Sequence, residues 1–298
     1  MSEVRNVIID ITKATSTSIS NGFGILLIVV KGTEAKDYKT YNSSVEVAAD
    51  YPSETYPQVA AAADIWFAQT PQPASIAIAT ITATDAAGVQ TALQGLANKN
   101  SFYYLYLSGF DEITTSGAED WIKTQRKLLF EDTASQVQDV KADRVVFLYH
   151  TEEGIAQSVG WVSAVSSYYP GSATWKYKHI NGLNPVEFDD PGASVAALTS
   201  ADINTYITEY GVDQTTDGLC SSGEYIDIIQ GEDVIVGNLE SNLNAVLVSK
   251  PKVPYTDDGI KEVAAVIDST LKDAENESII SDYTITVPTR ASIPDSDV

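Results

Sequence analysis

Past Gly24 the chain reads Ile25-Leu26-Leu27-Ile28-Val29-Val30, apolar at every position. A strand with one wet face alternates, so an unbroken run predicts a strand covered on both faces, as in a parallel sheet sandwiched between helices. The flanking chain keeps the matching rhythm. Strand patterns at 75–82, 102–107 and 144–150 are separated by helical patterns at 57–69 and 85–98, and further helices are expected at 117–138 and 154–168. Only 38–57 reads as loop. This alternation predicts an α/β (α+β) fold with a mixed but largely parallel sheet layered with helices. Gly22 and Gly24 precede their strand instead of following it, which argues against a nucleotide-binding loop.

Farther along, 173–180 reads as a strand and 185–192 as a turn-rich stretch, the candidate boundary between a body (21–185) and a C-terminal domain (186–280). Within the second part a helix is expected at 200–210, a strand at 224–229 and a helix at 233–248. Pro251 and Pro254 then hold the chain extended before Thr256 and Asp257, either of which suits a helix N-cap. From 259 to 274 the residues Ile260, Val263, Ala264, Ile267, Leu271 and Ala274 form one apolar stripe, leaving Lys261, Glu262, Asp268 and Lys272 on the wet face. Both ends carry strand patterns. Val4, Val7, Ile9 and Ile11 lie in one (4–12, followed by a Ser/Thr-rich linker at 12–21, the two forming an arm over 1–20), and Tyr283, Ile285 and Val287 alternate with polar residues in the other (281–298).

Composition narrows the function classes. The 298 residues, 44% of them hydrophobic, are enough for a sizeable core. With 41 acidic against 18 basic residues the formal charge is −23, which repels phosphate backbones and speaks against nucleic acid as a partner. No apolar run is long enough for membrane insertion, and Met1-Ser2-Glu3-Val4-Arg5 lacks the apolar core of a signal peptide. The single cysteine, Cys220, rules out an internal disulfide framework.

Catalytic signatures are missing: no phosphate loop, no His-Glu-x-x-His and no Gly-x-Ser-x-Gly elbow. His150 and His179 lack a recognisable partner motif, and Cys220 has no basic neighbour in sequence to lower its pKa. No cofactor is expected. One metal pattern stands out. Asp213-Gln214-Thr215-Thr216-Asp217-Gly218, closing at Glu224, places Asp213, Asp217 and Glu224 at calcium-loop spacing, with Thr215 where an acidic ligand is usual. A polar turn entering a strand is the alternative reading.

Several stretches together resemble the sheath proteins of contractile bacteriophage tails and related injection machines. They are Phe23 to Val30; Trp66-Phe67-Ala68-Gln69-Thr70-Pro71-Gln72-Pro73; Gly171-Ser172-Ala173-Thr174-Trp175-Lys176-Tyr177-Lys178 with Asn181-Gly182-Leu183; Gly218 to Asp227; and Val253-Pro254-Tyr255-Thr256-Asp257-Asp258-Gly259-Ile260. The resemblance implies a compact, enzymatically inert sheath body located in the virion tail and made in the bacterial host cytoplasm. Its implied partners are other copies of itself, the tail tube protein, and baseplate and tail terminator proteins. It further implies N- and C-terminal arms that add strands to a neighbour's sheet, here around Val4, Val7, Ile9, Ile11, Tyr283, Ile285 and Val287. A tube-facing helix with charged residues is implied as well, here Lys261, Asp268 and Lys272, for which a solvated helix face is the alternative. Two other classes compete: an α/β enzyme with substrate near His150 at the C-terminal ends of the strands, and a calcium-dependent module using Asp213, Asp217 and Glu224.

Overall fold

The run after Gly24 becomes β1 (Leu26–Lys31), in which Leu26, Leu27, Ile28 and Val29 have no exposed surface. The computed structural model describes residues 22–152, 154–188 and 194–293. After β1 come β2 (Lys36–Tyr41), α1 (Ser44–Asp50), α2 (Pro57–Phe67), β3 (Ile76–Ile81), α3 (Ala86–Ala97), β4 (Tyr104–Ser108), α4 (Glu112–Ile122) and β5 (Leu128–Thr133). The chain continues through β6 (Val145–Tyr149), α5 (Gln157–Ser166), α6 (Val195–Ser200), β7 (Asn204–Glu209), β8 (Val212–Thr215), α7 (Ile226–Ser249) and α8 (Asp257–Asn276).

The strands form one sheet in the order β2-β3-β1-β4-β5-β6-β7-β8. The six inner strands are parallel, and the two edge strands run antiparallel to their neighbours. Alternate residues feed two cores. Leu26, Ile28, Phe130 and Val146 meet Val59 and Trp66 of α2 and Trp161 and Val162 of α5 on one face. Leu27, Val29, Leu105 and Leu129 meet Val89 and Leu93 of α3 and Ala118 and Ile122 of α4 on the other. The placement of α2 and α3 on opposite faces follows from crossover handedness. The step from β1 to β3 and the step from β3 to β4 run in opposite directions across the sheet, so crossovers of one hand must carry their helices on opposite faces. The expected mixed α/β architecture with a largely parallel sheet is therefore the observed one. The sheet also continues across the 185/186 position: β7 pairs with β6 through Leu148 and Asn204, and the Val186 N–H donates to the Tyr206 carbonyl at 2.7 Å.

Several local expectations need correction. Residues 38–57 are not loop but hold most of β2 and all of α1, whose cap Ser43 accepts the Glu46 N–H. The helix expected at 117–138 starts earlier and stops at Ile122, since Asp111 and Thr114 form a capping box and Leu128, Leu129 and Phe130 enter the sheet fully buried. Residues 173–180 form no strand. Tyr177 takes a left-handed φ of 62°, and Trp175 turns inward to stack on Phe130 at 5.1 Å with Trp161 edge-on at 5.3 Å. The stretch 200–210 holds β7 (Asn204–Glu209) and not the expected helix, because the sheet buries Asn204, Thr205 and Tyr206. The strand expected at 224–229 is the first turn of α7, which buries Ile226, Ile229 and Val234 at helical spacing. Residues 280–288 form no strand and pair with none among the described residues.

Helix α7 crosses the N-terminal ends of the middle strands. The Tyr103 hydroxyl and the Arg144 guanidinium, just before β4 and β6, both donate to Asp233. Arg126, just before β5, grips Glu240 through two bonds of 2.9 Å. Gln230 joins the Tyr104 hydroxyl to the Trp175 indole N–H.

Candidate assembly surface

Arg126 still holds α7 at Glu240, beyond which the 24-residue helix has one further buried residue, Leu243. Helix α8 comes back beside it. The turn between them is shaped by Pro251 and Pro254 and closed by Thr256, whose hydroxyl caps the Gly259 N–H. Gly259 cannot carry a side chain, because a Cβ there would lie 1.8 Å from the Pro254 carbonyl oxygen. Two polar contacts hold the helices together: Asn242 donates to the Thr270 hydroxyl at 3.0 Å, and Lys250 pairs with Glu262.

The expected stripe on α8 is present, but its own chain covers it incompletely. Ala274 is buried, whereas Ile260, Val263, Ala264, Ile267 and Leu271 are half-buried. Leu247 and Val248 on α7 are exposed nearby in the same hairpin. The C-terminal segment runs back along α8. Tyr283 donates its hydroxyl to Asp268 at 3.0 Å, and farther along the Arg290 N–H donates to Asp257 at 2.6 Å while its guanidinium lies over the Tyr255 ring. Tyr283 and Ile285 are half-buried and Val287 is exposed. The segment thus keeps a strand's alternation without a ladder, because it lies along a helix instead of a sheet edge.

The three charged positions expected on α8 differ in setting. Lys261 is exposed, 3.9 Å from a still more exposed Asp258. Lys272 pairs with Glu275 one turn on, and Asp268 is engaged by Tyr283. The N-terminal positions Val4, Val7, Ile9 and Ile11 lie outside the described residues.

The remaining candidates scatter. Asp213 on β8 accepts from Thr208, Asp217 accepts from Lys176 and Thr199, and the Glu224 carboxylate accepts the Tyr225 N–H. Among the described residues no three His, Cys, Asp or Glu side chains converge on a metal-sized space. His150 stands at the C-terminal end of β6 with both ring nitrogens engaged, one 2.7 Å from the Asn184 carbonyl and the other accepting the Glu152 N–H. His179 meets the Tyr206 hydroxyl. Cys220 is fully buried, which pushes its thiol well above the ordinary range and keeps it protonated. Among the described residues no helix is long and apolar enough to cross a membrane.

No family model matches the sequence, and no curated protein sequence matches it. Solved structures do. A chain of the anti-feeding prophage baseplate, determined by cryo-EM with 6-fold symmetrisation, superposes with a TM-score of 0.68 at 15% identity, covering 93% of this chain and 85% of that one. This chain shares that chain's fold. A chain of the same prophage's helical sheath in the contracted state superposes at 0.64 with 14% identity and the same coverage. At such identity the backbone is held in common while most residues differ.

Sequence reasoning missed the anchoring of α7 and the docking of the C-terminal segment. The first had a signal, in that Arg126, Arg144 and Tyr103 each stand just before an apolar strand run, where a charged or phenolic tip reaches past the sheet end. The second had none.

Proposed function

We propose that the chain is the sheath subunit of a contractile injection machine, with copies stacked as rings around a tail tube that contraction drives through the host envelope. The observation that carries this is the match over 93% of the chain to a contracted sheath. The half-covered α7–α8 hairpin fits a subunit that finishes burying its surface only in a lattice. A charge of −23 keeps free copies apart until a template offsets their repulsion.

In this reading Lys261, Asp268 and Lys272 face the tube, and the segments around Val4–Ile11 and Tyr283–Val287 tie neighbours by strand addition. Residues 1–20, 21–185, 186–280 and 281–298 serve as arm, body, tube-side domain and arm. Each added ladder bond contributes about 0.5–1.5 kcal/mol net and each buried Ile or Val about 1.5–3 kcal/mol. Such joints would survive rotation of the bodies. Baseplate and tail terminator proteins would cap the lattice, placing the subunit in the tail.

A second reading is a sheath-fold subunit confined to the baseplate, favoured by the slightly higher TM-score of 0.68. Negative-stain electron microscopy of the purified chain with its cognate tube protein separates the two. Long decorated tubes, lost on deleting residues 1–20, support the sheath. Single closed rings support the baseplate reading, and failure to bind the tube at any concentration removes both.

A further inference from the structure

At the C-terminal ends of β4, β5 and β6, the opposite end from α7, the sheet opens into a crevice of about 780 Å3. One wall is the start of α2 and α5, the other the loop after β4 and the start of α4. Two consecutive carboxylates of β5 line it, and since neighbouring strand residues point to opposite faces they meet different surroundings.

Asp132 is fully used. It accepts the Ser158 N–H at 2.7 Å and the Tyr106 hydroxyl at 2.8 Å, and so caps α5, whose own N-cap residue is Ala156. Glu131 is not. Its Oε1 is buried without a hydrogen-bond partner, and no basic side chain among the described residues pairs with it. The charged groups acting on it are acidic, Glu119 from α4 and Asp132 from its own strand. Lys123 acts on Glu119, while His150 and Glu152 stand on the rim beyond β6. On the α5 wall Gln157, 4% exposed, donates its Nε2 to the Glu152 carbonyl and leaves its buried Oε1 unpartnered.

An orphan carboxylate oxygen in a crevice calls for a ligand that brings N–H donors and positive charge. A bare metal ion is poorly served, since no three ligating side chains converge there. We propose that this crevice binds an organic cation of the guanidinium or ammonium class, with Glu131 as counter-ion. The cation is either a free amine or a basic side chain of a second copy. The proposal is independent of the sheath reading.

Burial and the acidic neighbours hold the Glu131 carboxyl up to about 8, so at neutral pH a bound cation must expel its proton. Binding therefore strengthens with rising pH, by up to about tenfold per unit below about pH 8. The test is calorimetric titration of the full chain with agmatine, which carries both groups. Saturable binding that tightens from about pH 6 to about pH 8 and weakens at least about tenfold in Glu131→Gln supports the proposal. No heat at about 10 mM agmatine and pH 8, or equal affinity in folded Glu131→Gln, overturns it. Sedimentation with and without agmatine then assigns the source. Self-association weakened by agmatine points to a basic side chain of a second copy, and unchanged self-association to a free amine.

Discussion

Arg144 and Asp233 form a two-pronged pair, Nη1 to Oδ2 at 2.7 Å and Nη2 to Oδ1 at 2.8 Å, that locks α7 onto the start of β6. Asp233 is 3% exposed and also accepts the Tyr103 hydroxyl. Removing one partner strands a buried charge, which costs far more than the intact pair contributes. Asp233→Ala should destabilise by about 3–5 kcal/mol, read as a fall in the urea midpoint. Asp233→Ala combined with Arg144→Met should recover a good part of that loss.

Two helical glycines should respond oppositely to alanine. At Gly117 a Cβ would lie 2.4 Å from the Ala86 carbonyl oxygen, so α3 and α4 would be forced apart. Gly117→Ala should cost about 1–3 kcal/mol. At Gly95, within α3, a Cβ meets nothing within 4 Å. Gly95→Ala should gain about 0.5–1 kcal/mol through helix propensity, visible as a higher Tm.

Stability should fall with pH through Glu131. Its folded-state carboxyl titrates near about 8, above the ordinary 4.5, so between those values the folded chain holds a proton that the unfolded chain has released. The contribution is present at low pH and lost as pH rises toward 8. Glu131→Gln keeps the shape without the titration. It should match the parent near pH 5 and exceed it by about 1–3 kcal/mol near pH 8, in melts across that range.

Trp175 closes the core that residues 173–180 would leave open as a surface strand. It is 1% exposed, stacks on Phe130 and donates its indole N–H to Gln230 at 2.8 Å. Trp175→Ala should cost about 3–5 kcal/mol, and unfolding monitored by tryptophan fluorescence would show it.

Lys261 and Lys272 sit on wet ion pairs of α8, which contribute little to the free chain. Charge reversal at both should leave Tm within a degree or two, since exposed pairs give about 0.2–1 kcal/mol. In the sheath reading the same change weakens decoration of the tube, measured by co-sedimentation. Unaltered decoration would take both residues out of the tube contact.

The layered fold was legible because its evidence is local. An all-apolar run such as Ile25 to Val30 can only be buried on both sides, and Asp85 and Thr256 announce helix starts within a turn of their own position. The misreadings share one cause. Residues 128–130, 173–180, 204–206 and 224–229 are short stretches whose local pattern suits helix, strand or coil alike, and what chose among them was a distant partner. Phe130 and Trp161 pulled Trp175 inward, β6 recruited Asn204 and Thr205, and Arg144 fixed α7 through Asp233. The stripe on α8 was readable residue by residue, but its being half-covered was not. Periodicity records which side of a helix is apolar, and only the packed chain decides how much of that side its own segments reach.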